Sequence, residues 1–537
     1  MTAWLAATST LLARWTRRAA LAGSLAWLAG CSMLPVLPPR APTLAMPPAP
    51  DTALARIAAA STADPEQSGF RLLPTGQFAL QARLELARRT ERSLDVQYYQ
   101  IHDDRTGRFL LRTLRDAASR GVRVRLLLDD LYTAGSDDLL LGLDAHPNVE
   151  VRLFNPFPGW RRNLLTRFAS SMHEFSRVNR RMHNKLFIAD GVMAVAGGRN
   201  IADEYFMTSE GANFVDLDTF IIGPILRRLS NIFDEYWNSP WTYPLSAIVR
   251  AEQPTEALRQ TFEHMTGADT TPPPEPPPPN DVLGYSPIVN ELDAGKLGLV
   301  WADAQAYADA PAKVMGREMT YAAVPIADVD SVRYNVIELI RRARRDVVIT
   351  SPYLVPGRDG IEVLGDRAQR GVAFTLVTNS LAATDEPVVH TGYRRYRPQM
   401  LAMGMELYEL SPQRVSRSLR LGRFSTSIGR LHAKSAVIDR ERVFIGSMNF
   451  DPRSDRHNTE MGLFVHSPAL AQQVLKLADV IKSQGAYRVR LASDGQTLQW
   501  TTVGIGQTEV LVEEPETDFW SRMMLEVLSV LVPEDLL

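Results

Sequence analysis

The chain has 537 residues, of which 45% are hydrophobic and 22% are charged, with 59 basic against 61 acidic side chains. This length predicts two or more domains, and the apolar fraction excludes a globally disordered protein. The formal net charge of −2 lacks the basic excess that is typical of nucleic-acid-binding proteins, so we expect no nucleic-acid partner.

The N-terminus has the pattern of an export signal. Three arginines precede the apolar run 19–28, which is too short to span a bilayer as a helix and is typical of a signal-peptide core. The run ends in Leu28-Ala29-Gly30-Cys31, which resembles a bacterial lipobox, and Cys31 is the only cysteine in the chain. We therefore predict that residues 1–30 are a signal peptide and that Cys31 is lipidated. An ordinary cleaved signal or a short anchor is the alternative.

A lipidated Cys31 would hold the protein at a membrane through its lipid anchor. Ser32 follows the cysteine, which favours the outer membrane over the inner one, so we expect a periplasm-facing lipoprotein of the cell envelope. Seven prolines lie between residues 35 and 50 and predict a semi-rigid extended spacer. We therefore assign residues 31–65 to a proline-rich tether.

A second proline run, TTPPPEPPPPN at residues 270–280, divides the chain into two halves with the same order of predicted elements. Each half has a strand, a helix and a second strand, at 93–99, 106–121 and 122–130 and again at 346–353, 360–371 and 372–379. This repeat predicts an α/β fold with a parallel or mixed sheet. The expected units are a first half at 66–245, a linker or insertion at 246–325, and a second half at 326–537.

The repeat also carries a chemical motif that begins at His183 and again at His432. Lysine follows each histidine at +2, aspartate at +7, glycine at +14, a small residue at +15 and asparagine at +17. The first set is His183, Lys185, Asp190, Gly197, Gly198 and Asn200, and the second set is His432, Lys434, Asp439, Gly446, Ser447 and Asn449. Random placement of nine histidines and six lysines gives roughly 0.1 His-x-Lys pairs, so two pairs with one downstream pattern indicate function.

The residue types of the motif suit a phosphate group. HNKLFIAD and HAKSAVID read as strands, which would put each histidine and lysine on one face about 6.6 Å apart. Turns at Asp190 and Asp439 then predict a returning strand that brings the small residue and the asparagine back beside the histidine. An ammonium and an amide can hold phosphate oxygens while an imidazole attacks phosphorus or moves a proton.

This doubled pattern resembles the phospholipase D superfamily, whose signature is H-x-K-x4-D followed by G-G/S and asparagine. The resemblance covers nearly all of residues 66–537. It implies two pseudo-symmetric phospholipase D-like α/β/α sandwich halves that share one interfacial active site. It also implies that one histidine forms a phosphohistidine and the other protonates the leaving alcohol, with no metal or other cofactor.

The resemblance assigns roles to individual residues. The catalytic set is His183, Lys185, His432 and Lys434, with Asp216 and Glu460 as the carboxylates that orient the histidines. Asp218 is an alternative to Asp216. The phosphate-binding set is Asn200, Asn449, Gly198 and Ser447, whereas Asp190 and Asp439 are expected to be structural because of their turn positions. The spacing leaves the nucleophile open, and analogy with the family favours His183.

Longer stretches resemble the bacterial cardiolipin synthase branch, particularly its C-type members. The closest are LDVQYYQIHDDRTGRFLLRTLRDAASRGVRVRLLLDD and NFDPRSDRHNTEMGLFVHSP, which begin at residues 94 and 449. The resemblance implies a phosphatidyltransferase with phospholipid substrates that makes cardiolipin from two phospholipids. The alternatives are a phospholipase D that hydrolyses phospholipids to phosphatidic acid, a phosphodiesterase or nuclease, and a non-catalytic lipid-binding envelope lipoprotein.

Three further features have two interpretations each, and the oligomeric state is left open. Arginines before each motif form either a rim for anionic headgroups or solvated loops; they are Arg161, Arg162, Arg177, Arg180 and Arg181, and Arg414, Arg417, Arg420, Arg423 and Arg430. His390 and Tyr393 either line the substrate pocket or are ordinary loop positions. The helix predicted at 521–532 is expected to pack in the core, with membrane-surface docking as the alternative.

Overall fold

The structure is a computed structural model that describes residues 34–531 except 160, 162, 317–329, 423, 425 and 503–508. The predicted signal peptide, Cys31, Arg162 and Arg423 therefore lie outside the described residues. The strands are β1 (Ser68–Leu73), β2 (Ser93–Tyr98), β3 (Arg123–Asp129), β4 (Val149–Phe154), β5 (Leu186–Ala189), β6 (Met193–Gly197), β7 (Ala212–Val215), β8 (Asp218–Ile222), β9 (Thr242–Pro244), β10 (Val300–Ala308), β11 (Asp346–Thr350), β12 (Ala373–Asn379), β13 (Glu406–Leu410), β14 (Ile428–Leu431), β15 (Ser435–Ile438), β16 (Arg442–Gly446), β17 (Met461–His466), β18 (Ala486–Leu491), β19 (Leu498–Thr502) and β20 (Val510–Leu511). The α-helices are α1 (Ala53–Ser61), α2 (Gly76–Arg89), α3 (Arg105–Ser119), α4 (Asp137–Asp144), α5 (Leu164–Ser170), α6 (Phe175–Val178), α7 (Ile225–Trp237), α8 (Leu245–Ile248), α9 (Thr255–Thr266), α10 (Ile288–Asp293), α11 (Val332–Arg341), α12 (Gly357–Gln369), α13 (Pro387–Ala402), α14 (Pro412–Arg417), α15 (Pro452–Arg456), α16 (Pro468–Val480) and α17 (Phe519–Leu531).

Each half contains a mixed sheet with the same strand order. In the first half, β4, β3 and β2 are parallel, and β5, β6 and β8 continue the sheet in antiparallel pairs. In the second half, β13, β12 and β11 are parallel and β15, β16 and β17 continue it in the same way. The parallel strands are buried because helices cover the sheets, which is why they read as nearly continuous apolar runs. The predicted α/β fold with two similar halves is confirmed.

Strand β10 joins the two sheets into one, although it lies in the segment 246–325 that we expected to be a linker. Residues 300–302 pair with β1, and residues 303–308 pair with β17. Because β1 occupies the equivalent edge of the first half, β10 is the first strand of the second half, which begins earlier than position 326. The same segment also supplies α9, which packs on α4, and α10, whose Glu291 forms a salt bridge with Arg71.

A shared core lies between the two halves. It contains Leu186 and Ile188 of β5 together with Val443 and Ile445 of β16, all at most 1% exposed. Separate apolar clusters fill the outer layer of each half. Burial of these apolar side chains holds the two sheets together, so the ends of β5 and β15 with their motifs meet at one interface.

Part of the predicted tether packs on the first half. The backbone N–H of Ala45 donates to Asp234 at 2.8 Å, and Trp237 Nε1 donates to Thr43 Oγ1 at 2.8 Å. Arg125 also donates to the carbonyl oxygen of Thr43 at 2.9 Å. Residues 43–45 are therefore docked on α7 and β3, so this part of the segment is not a free spacer.

The C-terminal helix α17 packs by only one face, which corrects the expectation of a core helix. Leu525 is 1% exposed, and Arg394 of α13 donates to Glu526 at 2.7 Å. The opposite face exposes Phe519, Trp520, Met523, Met524 and Val527. Within the part of the chain that the structure describes, no helix is long and apolar enough to cross a membrane.

Candidate active site

The histidine and lysine of each motif lie just before a strand instead of within it. Residues 183–185 precede β5, and residues 432–434 lie between β14 and β15. The expected strand geometry is therefore wrong for these positions. The lysine side chain folds back instead, because Lys185 Nζ donates to the carbonyl oxygen of His183 at 2.7 Å and Lys434 Nζ donates to that of His432 at 2.6 Å.

The orienting carboxylates are exchanged between the halves. Nδ1 of His183 donates to Glu460 of the second half at 2.9 Å, and Nδ1 of His432 donates to Asp216 of the first half at 2.6 Å. All four side chains are buried. The structure also separates Asp216 from Asp218, which forms a salt bridge with Arg83 at 2.9 Å and does not contact either histidine.

The small residue at +15 contacts the carboxylate in each half. A Cβ atom added to Gly198 would lie 2.2 Å from Oδ1 of Asp216, so only glycine leaves that carboxylate in place. At the equivalent position, the hydroxyl of Ser447 donates to Glu460. These contacts place Gly198 and Ser447 directly beside the two carboxylates, and their phosphate-binding role stays a prediction.

The two motif asparagines are buried and keep unpaired acceptor atoms. Asn200 donates through Nδ2 to the hydroxyl of Tyr205 at 2.9 Å, and the backbone N–H of Asn449 donates to Ser454 Oγ at 3.2 Å. Neither Oδ1 atom accepts a hydrogen bond from a described residue. Because the ring of Tyr205 packs against that of His432, Asn200 lies close to the second histidine.

The motif aspartates hold neighbouring backbone and lie away from the histidines. Asp190 accepts from three successive backbone N–H groups at 91–93, at 2.8 to 3.1 Å. Asp439 accepts from the backbone N–H groups of 344–346, at 2.7 to 3.3 Å. Each aspartate has a positive φ, of 51° and 55° respectively, as expected at a tight turn.

Electrostatics distinguish the two histidine–carboxylate pairs. Burial lowers the pKa of His183 well below its ordinary value, and Lys185 and Lys434 lower it further. Burial also raises the pKa of its partner Glu460 to about 7, although Lys185 opposes this shift. Burial favours the neutral form of Asp216 as well, but His432, Lys434 and Arg199 together outweigh it and hold the pKa of that carboxyl below its usual range. His432 therefore sits beside the more firmly ionised carboxylate.

Three of the described arginines before the first motif are held by contacts within the protein. Arg181 is fully buried and bonded to Asp129 at 3.1 Å, and Arg161 forms a salt bridge with Asp130 at 2.8 Å. Arg177 donates to the carbonyl oxygen of Pro156 at 3.0 Å. Internal ion pairs and hydrogen bonds use these guanidinium groups, so both interpretations of this group, a headgroup rim and a solvated loop, are wrong for these three residues.

The described arginines before the second motif differ in exposure. Arg417 and Arg420 are exposed, Arg414 donates to the carbonyl oxygen of Ser483 at 3.2 Å, and Arg430 is half-buried. Exposed positions of this kind fit a solvated loop.

His390 and Tyr393 lie on the inner face of α13 and are not loop positions. The hydroxyl of Tyr393 donates to Glu409 at 2.8 Å, and the two rings contact each other at 5.4 Å. Both side chains are buried in the second half, which indicates packing within that half.

Several groups around the histidines were not singled out in the sequence. The ring of Tyr99 lies 5.0 Å from that of His183, and the ring of Tyr205 lies 5.0 Å from that of His432. The hydroxyl of Tyr353 donates to Asp385 at 2.8 Å, and the charge of Asp385 opposes the lowering of the pKa of His432 by burial. Tyrosine and aspartate are common residues and these lie outside the repeated spacing, so no sequence signal identified them.

Comparison with known proteins decides the family. The profile described as cardiolipin synthase, PLD-like domain matches residues 84–237 and 336–480, one segment in each half. The chain is also 40% identical to cardiolipin synthase C of Escherichia coli (strain K12), over 88% of this chain and 97% of that protein. The chain belongs to this family.

A second cardiolipin synthase is similar in sequence, and one solved structure is similar in fold. Cardiolipin synthase 1 of Staphylococcus aureus (strain MRSA252) is 25% identical over 73% of this chain and 63% of its own length. The solved structure of phosphatidylserine synthase from Haemophilus influenzae Rd KW20 matches with a TM-score of 0.56 at 15% identity, covering 89% of this chain and 96% of that chain. The predicted family and fold are therefore confirmed. Across the described residues, no group of three or more His, Cys, Asp or Glu side chains is placed to hold a metal ion.

Proposed function

We propose that the chain is a phosphatidyltransferase that makes cardiolipin by moving the phosphatidyl group of one phospholipid to a hydroxyl group of another. The exchange of orienting carboxylates between the halves carries this proposal. Each Nδ1 is held by a carboxylate of the other half, so Nε2 of each ring is the atom available for attack or proton transfer. The 40% identity to cardiolipin synthase C of E. coli supports phospholipids as substrates.

In the first step, Nε2 of His183 attacks phosphorus of the donor phospholipid. The phosphorus–oxygen bond to the headgroup breaks, and the departing oxygen takes a proton from Nε2 of His432. Each lysine uses one of its three N–H donors on the carbonyl oxygen of its histidine. The remaining donors can hold the phosphoryl oxygens, together with the amide groups of Asn200 and Asn449.

In the second step, the hydroxyl of the acceptor phospholipid gives its proton to His432 and attacks phosphorus. The phosphorus–nitrogen bond breaks, which releases cardiolipin and restores neutral His183. Because His432 regains the proton that it lost in the first step, the two steps balance and need no further reactant.

The electrostatic difference between the pairs supports His183 as the nucleophile. Its low pKa keeps the ring neutral, with a lone pair on Nε2, at neutral pH. Burial also lowers the pKa of His432, but the interaction with Asp216 opposes that shift. Of the two rings, His432 is therefore the one whose protonated form is better stabilised, which suits the group that must carry a proton at the start of the cycle.

We also propose that the enzyme works at the bacterial cell envelope, where its lipid substrates lie. Its similarity to cardiolipin synthases supports association with a membrane or the envelope. A lipid on Cys31 would anchor the chain there, with the outer membrane favoured by Ser32 and with residues 31–65 between the anchor and the catalytic halves.

Incubation of the full chain in mixed micelles with phosphatidylglycerol and phosphatidylethanolamine tests the proposal. Mass spectrometry of the lipids should detect cardiolipin. Phosphatidic acid as the sole product would indicate that water is the acceptor and would replace the transferase by a hydrolase. No change in either lipid, with duplex and single-stranded DNA cleaved instead, would overturn the proposal in favour of a nuclease.

A further inference from the structure

A carboxylate and a hydroxyl that the proposed reaction does not use lie near His432. Asp385 is in the turn between β12 and α13, and Tyr353 follows β11. The hydroxyl of Tyr353 donates to Oδ2 of Asp385 at 2.8 Å. The other oxygen, Oδ1, is buried and accepts no hydrogen bond from a described residue. A buried carboxylate oxygen is costly unless a donor reaches it, so this atom indicates a binding partner.

Neighbouring residues of the two segments that carry Asp385 and Tyr353 bond to the second motif. The side chain of Asn379, at the end of β12, exchanges two hydrogen bonds with the backbone of Leu431, at 3.0 and 2.8 Å. Leu431 is the residue before His432. The segment of Tyr353 is held in the same way, because the backbone N–H of Val355 donates to the carbonyl oxygen of Phe450 at 2.7 Å, one residue after Asn449.

Electrostatic effects place the Asp385 carboxylate within reach of the groups around His432. Burial lowers the pKa of Lys434 to about 8, while Asp216 and then Asp385 oppose that shift. In the first half, burial and then Asp385 raise the pKa of Glu204, which neighbours the Tyr205 ring that packs against His432. The charge of Asp385 therefore acts on groups of both halves, and it also opposes the lowering of the pKa of His432 by burial.

The guanidinium of Arg453, which lies near the pair, is engaged elsewhere. Arg453 opposes the rise in the pKa of nearby Glu386, but it donates to both the side chain and the carbonyl oxygen of Asn179, at 3.1 and 3.2 Å. A carboxylate with an unpaired oxygen repels a phosphate and attracts a hydrogen-bond donor. The surroundings of Asp385 therefore suit the part of a lipid headgroup beyond its phosphate, and not the phosphate itself.

We propose that Asp385, oriented by Tyr353, accepts a hydrogen bond from an O–H or N–H group of the phospholipid headgroup bound beside His432. The inference rests on the proposed function and adds a residue that determines which headgroups are bound. Glycerol supplies hydroxyl groups and ethanolamine supplies an ammonium group, so both sources share the required chemistry. For a headgroup with neither kind of donor, Asp385 does not increase the binding affinity.

The role of Asp385 is tested by calorimetry, which measures the Kd values of three small phosphates for the detergent-solubilised full chain. The probes are glycerol 1-phosphate, phosphoethanolamine and methyl phosphate, which share the phosphate and differ in the donor group. Asp385→Asn should weaken the first, the second or both by about tenfold, because it removes a charged acceptor. Methyl phosphate should bind no more weakly than to the original chain. Whichever probe is weakened identifies the hydroxyl or the ammonium as the recognised group.

Tyr353→Phe should give the same pattern with a smaller, several-fold effect, since the carboxylate loses only its orienting partner. Asp366→Asn is the matched control, because Asp366 is paired with Arg367 on the surface of α12, and it should change none of the three Kd values. Equal weakening of all three probes by Asp385→Asn would assign it a purely structural role and overturn the inference, as would no change at all. Absence of lipid turnover in the original chain would instead count against the proposed function, since these binding measurements need no reaction.

Discussion

His183 donates through Nδ1 to Glu460 at 2.9 Å, although the two residues are 277 positions apart and belong to opposite halves. The reciprocal pair, His432 and Asp216, spans 216 positions at 2.6 Å. Each half therefore orients the histidine of the other, and neither half contains a complete histidine–carboxylate pair. A single half of this chain would be expected to lack activity even if it folded.

Loss of either histidine should abolish turnover for different reasons. We expect His183→Ala and His432→Ala each to lower phospholipid turnover by about 10³-fold or more. A phosphatidyl donor with a nitrophenol leaving group needs no general acid, so His432→Ala should still form a covalent adduct and His183→Ala should not. Intact-protein mass spectrometry with peptide mapping checks this.

His264→Ala is the control for these variants, because His264 is exposed on α9 and should tolerate the change. An adduct mapped to His432 in the original chain would reverse the roles of the two histidines. Full activity of either single variant would refute the two-histidine mechanism.

Activity should fall as the pH drops through about 7 because Glu460 becomes protonated. Burial raises the pKa of Glu460 to about 7, and only its ionised form can accept from Nδ1 of His183 without competition from its own proton. His183 and Asp216 have lowered pKa values, so they stay neutral and ionised, respectively, in this range. Glu460→Gln should lower kcat by about 10²- to 10⁴-fold and remove this acidic limb of the pH profile.

Asp216→Asn provides the comparison for that pH profile. It should lower kcat but keep the acidic limb, since Glu460 is still present. An unchanged limb in Glu460→Gln would show that another group titrates there.

Gly198→Ala should impair catalysis more than folding. The added Cβ would lie 2.2 Å from Oδ1 of Asp216 and would displace the carboxylate from His432. We expect kcat to drop by about 10²-fold with a melting temperature close to that of the original chain. Gly211→Ala is the matched control, because a Cβ there meets nothing closer than 4.0 Å. Equal kcat values for the two variants would contradict the assigned role of Gly198.

Asp190→Ala should destabilise the fold without changing the chemistry. It leaves three backbone N–H groups without their carboxylate acceptor, so the free energy of unfolding should fall by about 2–3 kcal/mol. Asp439→Ala should lower the free energy of unfolding by less. Asp439 also accepts from three backbone N–H groups, but two of them, those of Arg344 and Arg345, make these bonds in exposed surroundings. Urea unfolding measures the free energy of unfolding of both variants, and a greater decrease for Asp439→Ala would be inconsistent with this explanation.

The predictions that held depend on repetition. Two copies of one spacing indicated two similar halves, because equal local sequences form equal local structures. The catalytic roles of His183 and His432 stay a prediction. The predictions that failed depend on distant partners. The arginines before the first motif fit either a basic rim or a solvated loop by sequence. In the structure, Arg181 pairs with Asp129 at the end of β3, and Arg161 pairs with Asp130 just after it.

By itself, the sequence determined the α/β class, the doubled motif, the family and the turn positions of Asp190 and Asp439, since these depend on local patterns and spacing. The tertiary structure decided which carboxylate serves which histidine, that β10 joins the two sheets, and that Asp385 meets Tyr353 near His432. These relationships arise when the halves bury a shared apolar face. Contacts across that interface depend on how two separate surfaces fit, and no local pattern encodes that fit.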